Sequence, residues 1–115
     1  MKRSWRPSHA MIAQALSRRA QGDTSIHLAM AFSGRTCIAT AWNDRSEHAE
    51  VKLIMRLKKL CRYPRRGFSM LVVRFSNAAL SRGEIAFKLS KPCRACQIYI
   101  HNSGLYFKNV FFSVN

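Results

Sequence analysis

The sequence predicts a three-layer α/β/α sandwich, a mixed sheet of about four to five strands held between two layers of helix. Three observations carry this. Segments with apolar residues at helical spacing alternate with short strand-like runs, in the order helix, two strands, helix, strand, helix, strand. One of these runs, Ser69 to Phe75, is apolar almost throughout, which suits a strand covered on both faces. The chain has 115 residues, 48% of them hydrophobic, enough for one core and too few for two, so residues 1–115 read as a single domain.

Each element has its own signature. Between Ser8 and Ala20, the residues Met11, Ile12, Ala15 and Leu16 share a helical face; Ser8 is suited to the N-cap, and Arg18 and Arg19 sit where the helix dipole favours cations. Gln21-Gly22-Asp23 breaks that helix. Ile26 to Phe32 and Thr36 to Trp42 then form a hairpin across Ser33-Gly34-Arg35. After the polar turn Asn43 to Ser46, a second helix begins near His48 and runs to Leu60. It places Glu50, Leu53, Ile54, Leu57 and Leu60 on one face and Lys52, Arg56 and Lys59 on the other, until Pro64 and Gly67 stop it. Ser69 to Phe75 is the third strand. Ser76 to Leu89 reads as an insertion in which Ala78 to Leu80 resembles a helical turn and Ile85 to Leu89 a short strand. Pro92 suits the first turn of a further helix, Cys93 to Asn102, and Gly104 its C-terminal cap. Phe107 to Val114 is the closing strand, and strands joined through a helix are expected to run parallel.

Charge narrows the partners. Lys and Arg number 20 against 5 Asp and Glu, a formal net charge of +15, which draws polyanions to the surface and repels itself in the compact state. A nucleic acid or a nucleotide substrate fits that balance; a basic surface serving solubility is the alternative. The basic residues fall into groups: Lys2, Arg3 and Arg6; Arg18 and Arg19; Arg56, Lys58 and Lys59; Arg62, Arg65 and Arg66. Trp5, Trp42 and Tyr63 are interspersed as surfaces on which bases stack, and Arg62, Arg65 and Arg66 are the predicted nucleic-acid contact. No run of about 18 apolar residues is present, and Met1 to Pro7 leads into no apolar signal region. An intracellular protein with reduced cysteines and no membrane partner is therefore expected.

The chemistry rests on two short motifs, His48-Ala49-Glu50 and Pro92-Cys93-Arg94-Ala95-Cys96, each at a predicted helix start after strand-like sequence. Singly each is common; together they match the His-x-Glu and Pro-Cys-x-x-Cys pattern of nucleobase deaminases. One imidazole and two thiolates give Zn2+ three protein ligands and leave the fourth tetrahedral position for water, whose pKa the metal lowers toward neutrality. In that pattern the hydroxide would attack the ring carbon bearing the amino group, and Glu50, itself no ligand, would carry protons to the ring nitrogen and to the departing ammonia. A purely structural zinc would need a fourth protein ligand. His101 is spaced as in a zinc knuckle, but the next ligand of that pattern falls on Tyr106. Cys37 and Cys61 read as buried small hydrophobes, and His9 and His27 lie outside the motifs.

From about Ile26 to Val114 the chain resembles the cytidine deaminase-like superfamily of cytidine, deoxycytidylate and transfer-RNA adenosine deaminases. Trp42-Asn43 is similar to the strand end whose asparagine holds the target nucleoside in transfer-RNA adenosine deaminases, which implies Asn43 and Trp42 as substrate-binding residues. Ser90-Lys91-Pro92-Cys93, Ile100 to Gly104 and Val110 to Ser113 resemble that family's cysteine helix, glycine and following strand. The resemblance implies a hydrolase that converts cytosine to uracil, or adenine to hypoxanthine, in single-stranded DNA or RNA. His48, Cys93 and Cys96 would hold its zinc and Glu50 would shuttle protons. Two departures stand out. Ser76 to Leu89 lengthens the path from the third strand to the Pro-Cys motif, at the rim of the pocket. Relatives continue with further helix and strand beyond the last strand seen here, so a homo-oligomer or another chain is expected on that sheet edge. The alternatives are a free cytidine or deoxycytidylate deaminase and a non-catalytic, zinc-stabilised nucleic-acid-binding protein.

Overall fold

A computed structural model describes residues 5–23, 25–60 and 67–114. Helix α1 (His9–Ala20) starts where expected, because the Ser8 hydroxyl accepts the Met11 N–H at 3.2 Å, and Arg18 and Arg19 fill its last turn. Strands β1 (Ile26–Ser33) and β2 (Thr36–Trp42) pair antiparallel across a turn in which Gly34 takes φ +61, a conformation glycine adopts without steric cost. Helix α2 (Ala49–Leu57) leads to β3 (Phe68–Phe75). The helix stops three residues short of Leu60 because the N–H groups of Lys59 and Leu60 turn back onto Arg56 and Leu57 in tight i to i+3 bonds.

The segment read as an insertion is ordered structure. It forms α3 (Asn77–Ser81), capped by the Ser76 hydroxyl, and the short β4 (Phe87–Lys88). Helix α4 (Arg94–His101) has Cys93 at its N-cap, so Pro92 lies just before the helix instead of in its first turn, and β5 (Phe107–Phe112) follows.

The mixed sheet of five strands has the order β2-β1-β3, with β4 and β5 sharing the far side of β3. β5 runs parallel to Phe68–Val72 and β4 antiparallel to Arg74 and Phe75. Ser113 joins the two: its N–H donates to the Val72 carbonyl (2.9 Å), its hydroxyl accepts the Arg74 N–H (3.0 Å) and donates to the Lys88 carbonyl (2.6 Å). β2 and β3, linked through α2, run in the same direction on either side of antiparallel β1, and β3 and β5, linked through α4, pair directly.

Helices cover both faces. On one, Ala29, Ala31, Ala41, Met70 and Val72 of the sheet meet Leu53, Ile54 and Leu57 of α2 and Ile100 of α4. On the other, Ile26, Leu28, Met30, Val73 and Phe75 meet Ala15 of α1 and Leu80 of α3. Small alanines under α2 let the helix approach closely, and each fully buried Leu or Ile contributes on the order of 1.5–3 kcal/mol of transfer free energy. β3 is buried on both faces, as its apolar run predicted. Among the described residues no helix is long and apolar enough to cross a membrane.

Candidate metal centre

The N-termini of α2 and α4 converge. His48 occupies the N-cap of α2 without a capping bond, because its imidazole is turned toward the other helix. Its Nδ1 lies 3.1 Å from Cys96 Sγ and 3.9 Å from Cys93 Sγ. Cys93 caps α4, its sulfur accepting the Cys96 N–H at 3.5 Å. The three ligand atoms all lie within 4.8 Å of one another, a group able to hold a metal ion. For a tetrahedral ion with bonds of roughly 2.0–2.1 Å to nitrogen and about 2.3 Å to sulfur, the N···S separation is about 3.6 Å. The two observed separations bracket that value, so the donors fit such an ion. Among the described residues no fourth His, Cys, Asp or Glu joins them, and His101 sits exposed at the far end of α4.

Glu50 stands in the first turn of α2, 5% exposed, and is not one of the converging donors. Burial pushes its carboxyl above the usual carboxylate range, against the opposing pull of its own N–H and of His48. Cys96 is 3% exposed; burial, then the Glu50 carboxylate and Cys93, push its thiol up to about 12. Without a cation that sulfur keeps its proton. Metal uptake must therefore expel it.

Beside the trio opens a pocket of about 350 Å³, lined among others by Ser25, His27, Asn43, Glu50, Ser90 and Cys93. Asn43 lines it, and its amide is engaged within the protein: Oδ1 accepts the His27 N–H (2.9 Å) and Nδ2 donates to the Ser25 carbonyl (2.9 Å). It ties the end of β2 to the start of β1 and keeps one N–H and one lone pair for a ligand.

No protein-family model, curated protein or solved structure matches this chain.

Trp42 corrects an expectation. It does not line the pocket; it is 8% exposed in the core on the opposite face of the sheet, stacked on Phe75 (5.8 Å) with the Arg18 guanidinium 5.1 Å from its ring. Strand alternation is the reason, since consecutive residues face opposite sides and only Asn43 faces the trio. Cys37, expected to pack inside, is exposed in β2. Arg62, Arg65 and Arg66, like Cys61, lie outside the described residues.

His27 is the pocket residue that sequence reasoning passed over. Its Nε2 pairs with Ser25 Oγ (2.9 Å) and its Nδ1 with Ser90 Oγ (3.2 Å). Burial, then Arg74 and His48, lower its pKa to about 4, so the ring is neutral at physiological pH. The available signal was its position: Ile26, Leu28 and Met30 face α1, which leaves His27 with Ala29 and Ala31 on the α2 face. Only the strand pairing reveals that this face is the one that meets His48.

Proposed function

We propose that the chain is a zinc-dependent hydrolytic deaminase that converts the amidine edge of a nucleobase, that of cytosine or adenine, to the corresponding amide in single-stranded nucleic acid. The observation that carries this reading is a three-donor centre, without a fourth donor among the described residues, next to a buried carboxylate on one pocket wall. Two sulfurs and an imidazole suit a borderline-soft ion such as zinc. When bound, that ion supplies Lewis acidity and lowers the pKa of water.

The protein's own residues do the rest. Glu50, its pKa raised by burial, takes a proton from the attacking water and delivers it to the ring nitrogen, then takes a second proton from the newly added hydroxyl as the C=O forms and delivers it to the amino group that leaves. The reaction consumes one water, forms a C=O bond, breaks the C–N bond and releases ammonia. Asn43 offers its remaining N–H and lone pair to the nucleoside. The pocket lies at the small end of the roughly 300–1,000 Å³ range of ligand sites, as suits one nucleoside. The net charge of +15 supports a polymeric anion over a free cytidine or deoxycytidylate, and the basic runs, Arg62, Arg65 and Arg66 included, are proposed as its phosphate contacts.

Glu50→Ala tests the reading. Metal content and circular dichroism should be retained while ammonia release, followed by mass shift on single-stranded DNA, RNA and free nucleotides, drops about 10²–10⁴-fold. Unchanged turnover, or a wild-type protein that binds oligonucleotides but releases no ammonia from any of these substrates, would overturn it.

A further inference from the structure

β5 pairs along one side only: among the described residues, β3 is its sole strand partner. The Ser113 N–H points inward to Val72, so alternation along the strand turns the main-chain groups of Val110 and Phe112 outward. That edge is apolar on both faces of the sheet. On the α1 side, a hollow of about 440 Å³ lies among Trp5, Val73 and Phe87; on the α4 side, one of about 280 Å³ lies against Pro92 and Ile100. Phe112 is 36% and Val114 64% exposed. A strand laid along β5 would send successive side chains into one hollow and then the other, since they alternate between faces.

Charge selects the occupant. From Ile85 onward the sequence holds no Asp or Glu, whereas Lys88, Lys91, Arg94 and Lys108 all lie there. Lys108 is exposed on β5 itself, and Lys91 is exposed beside the α4-side hollow. A second copy would bring a further +15 and the same lysines against the edge, and like charges placed opposite each other in a sheet repel. We propose that the outer edge of β5 receives, by strand addition, an extended acidic segment of another protein in which apolar residues alternate with Asp or Glu. This is independent of the deaminase reading.

A labelled, N-acetylated decapeptide alternating Val with Glu, followed by fluorescence anisotropy on the full chain, tests it. Binding should be saturable, and amide exchange at Val110 and Phe112 should slow when the peptide is added. Replacing every Glu by Lys, or N-methylating the amides along one edge of the peptide, should each weaken binding about tenfold or more. Lys108→Glu, an exposed substitution, should weaken the acidic peptide several-fold and strengthen the lysine peptide, with the far-ultraviolet spectrum unchanged. An N-methylated peptide that binds as well as its parent would reduce the effect to polyanion attraction and overturn the proposal. So would a concentration-dependent dimer that excludes the peptide, or an oligonucleotide that displaces it while preserving the protection of Val110 and Phe112.

Discussion

Glu50 is a carboxylate held where water is scarce, and that has a measurable stability consequence. Its folded pKa lies above the ordinary 4.5, so the folded state holds the proton more tightly than the unfolded one. Stability is therefore lost as pH rises from about 4.5 through the folded value. Glu50→Gln removes this penalty. Thermal melts of the metal-free protein should show the variant more stable than wild type at neutral pH, with the gap closing in acid, and under the proposed deaminase reading the same variant should release no ammonia. His27 titrates in the opposite direction. With its pKa lowered from 6.5 to about 4, the unfolded chain takes up a proton that the folded one refuses, so its contribution is intact above pH 6.5 and lost as pH falls toward 4. Nuclear magnetic resonance of the ring nitrogens should find His27 neutral at pH 5.5, about where an ordinary histidine is charged. His27→Ala releases Ser90, which precedes Pro92 and Cys93, and should weaken metal binding about tenfold with helix content retained. At this scale the donor set was legible, because His-x-Glu and Cys-x-x-Cys are contiguous. The part played by His27 was not, because its partners are Ser25, close by, and Ser90, far along the chain.

Among the elements, the start of β3 is the most closely fitted. Gly67 takes φ +79, and a Cβ there would clash with Tyr106 Cδ2 and meet the Tyr106 carbonyl at 2.7 Å, next to the bond from the Phe68 N–H to that carbonyl (2.8 Å). Gly67→Ala combines left-handed strain with a clash against backbone and should cost about 2 kcal/mol or more, seen as a lower urea midpoint. In the sequence the same glycine served to end α2. The structure places it at the opening of β3, where β3 and β5 first meet. Helical periods were legible where one face packs, as in α1 and α2, and β3 was legible as a continuous apolar run because both its faces are buried. The ends were less so: α2 closes early through local i to i+3 bonds, and Pro92 falls outside α4 because the Cys93 sulfur takes the capping position. The region Ser76–Leu89 lacks a long periodic run, and its order comes from partners: β4 pairs with the end of β3, and Leu80 packs into the α1-side core.

For the molecule as a whole, the charge of +15 acts twice with opposite sign. It repels itself in the compact state and attracts a polyanion, and both effects are screened as the Debye length falls from about 10 Å at 0.1 M salt to about 3 Å at 1 M. Added sodium chloride should therefore raise the melting temperature of the free protein while it weakens binding to a single-stranded oligonucleotide, with a linear slope in log affinity against log salt. A melting temperature that falls with salt would show that local ion pairs, such as Lys52 with Asp44 (3.0 Å), outweigh the net repulsion. The sequence by itself determined the α/β class, the order of the elements outside 76–89 and three side chains able to hold a metal ion, because periodicity and residue chemistry are set by near neighbours. Only the tertiary structure decided that two helix ends bring His48 to Cys93 and Cys96, that Trp42 turns into the opposite core, and that β4 and β5 share one side of β3. Those outcomes depend on which strands pair and on what each face then buries, relations between residues far apart in the chain that no local pattern records.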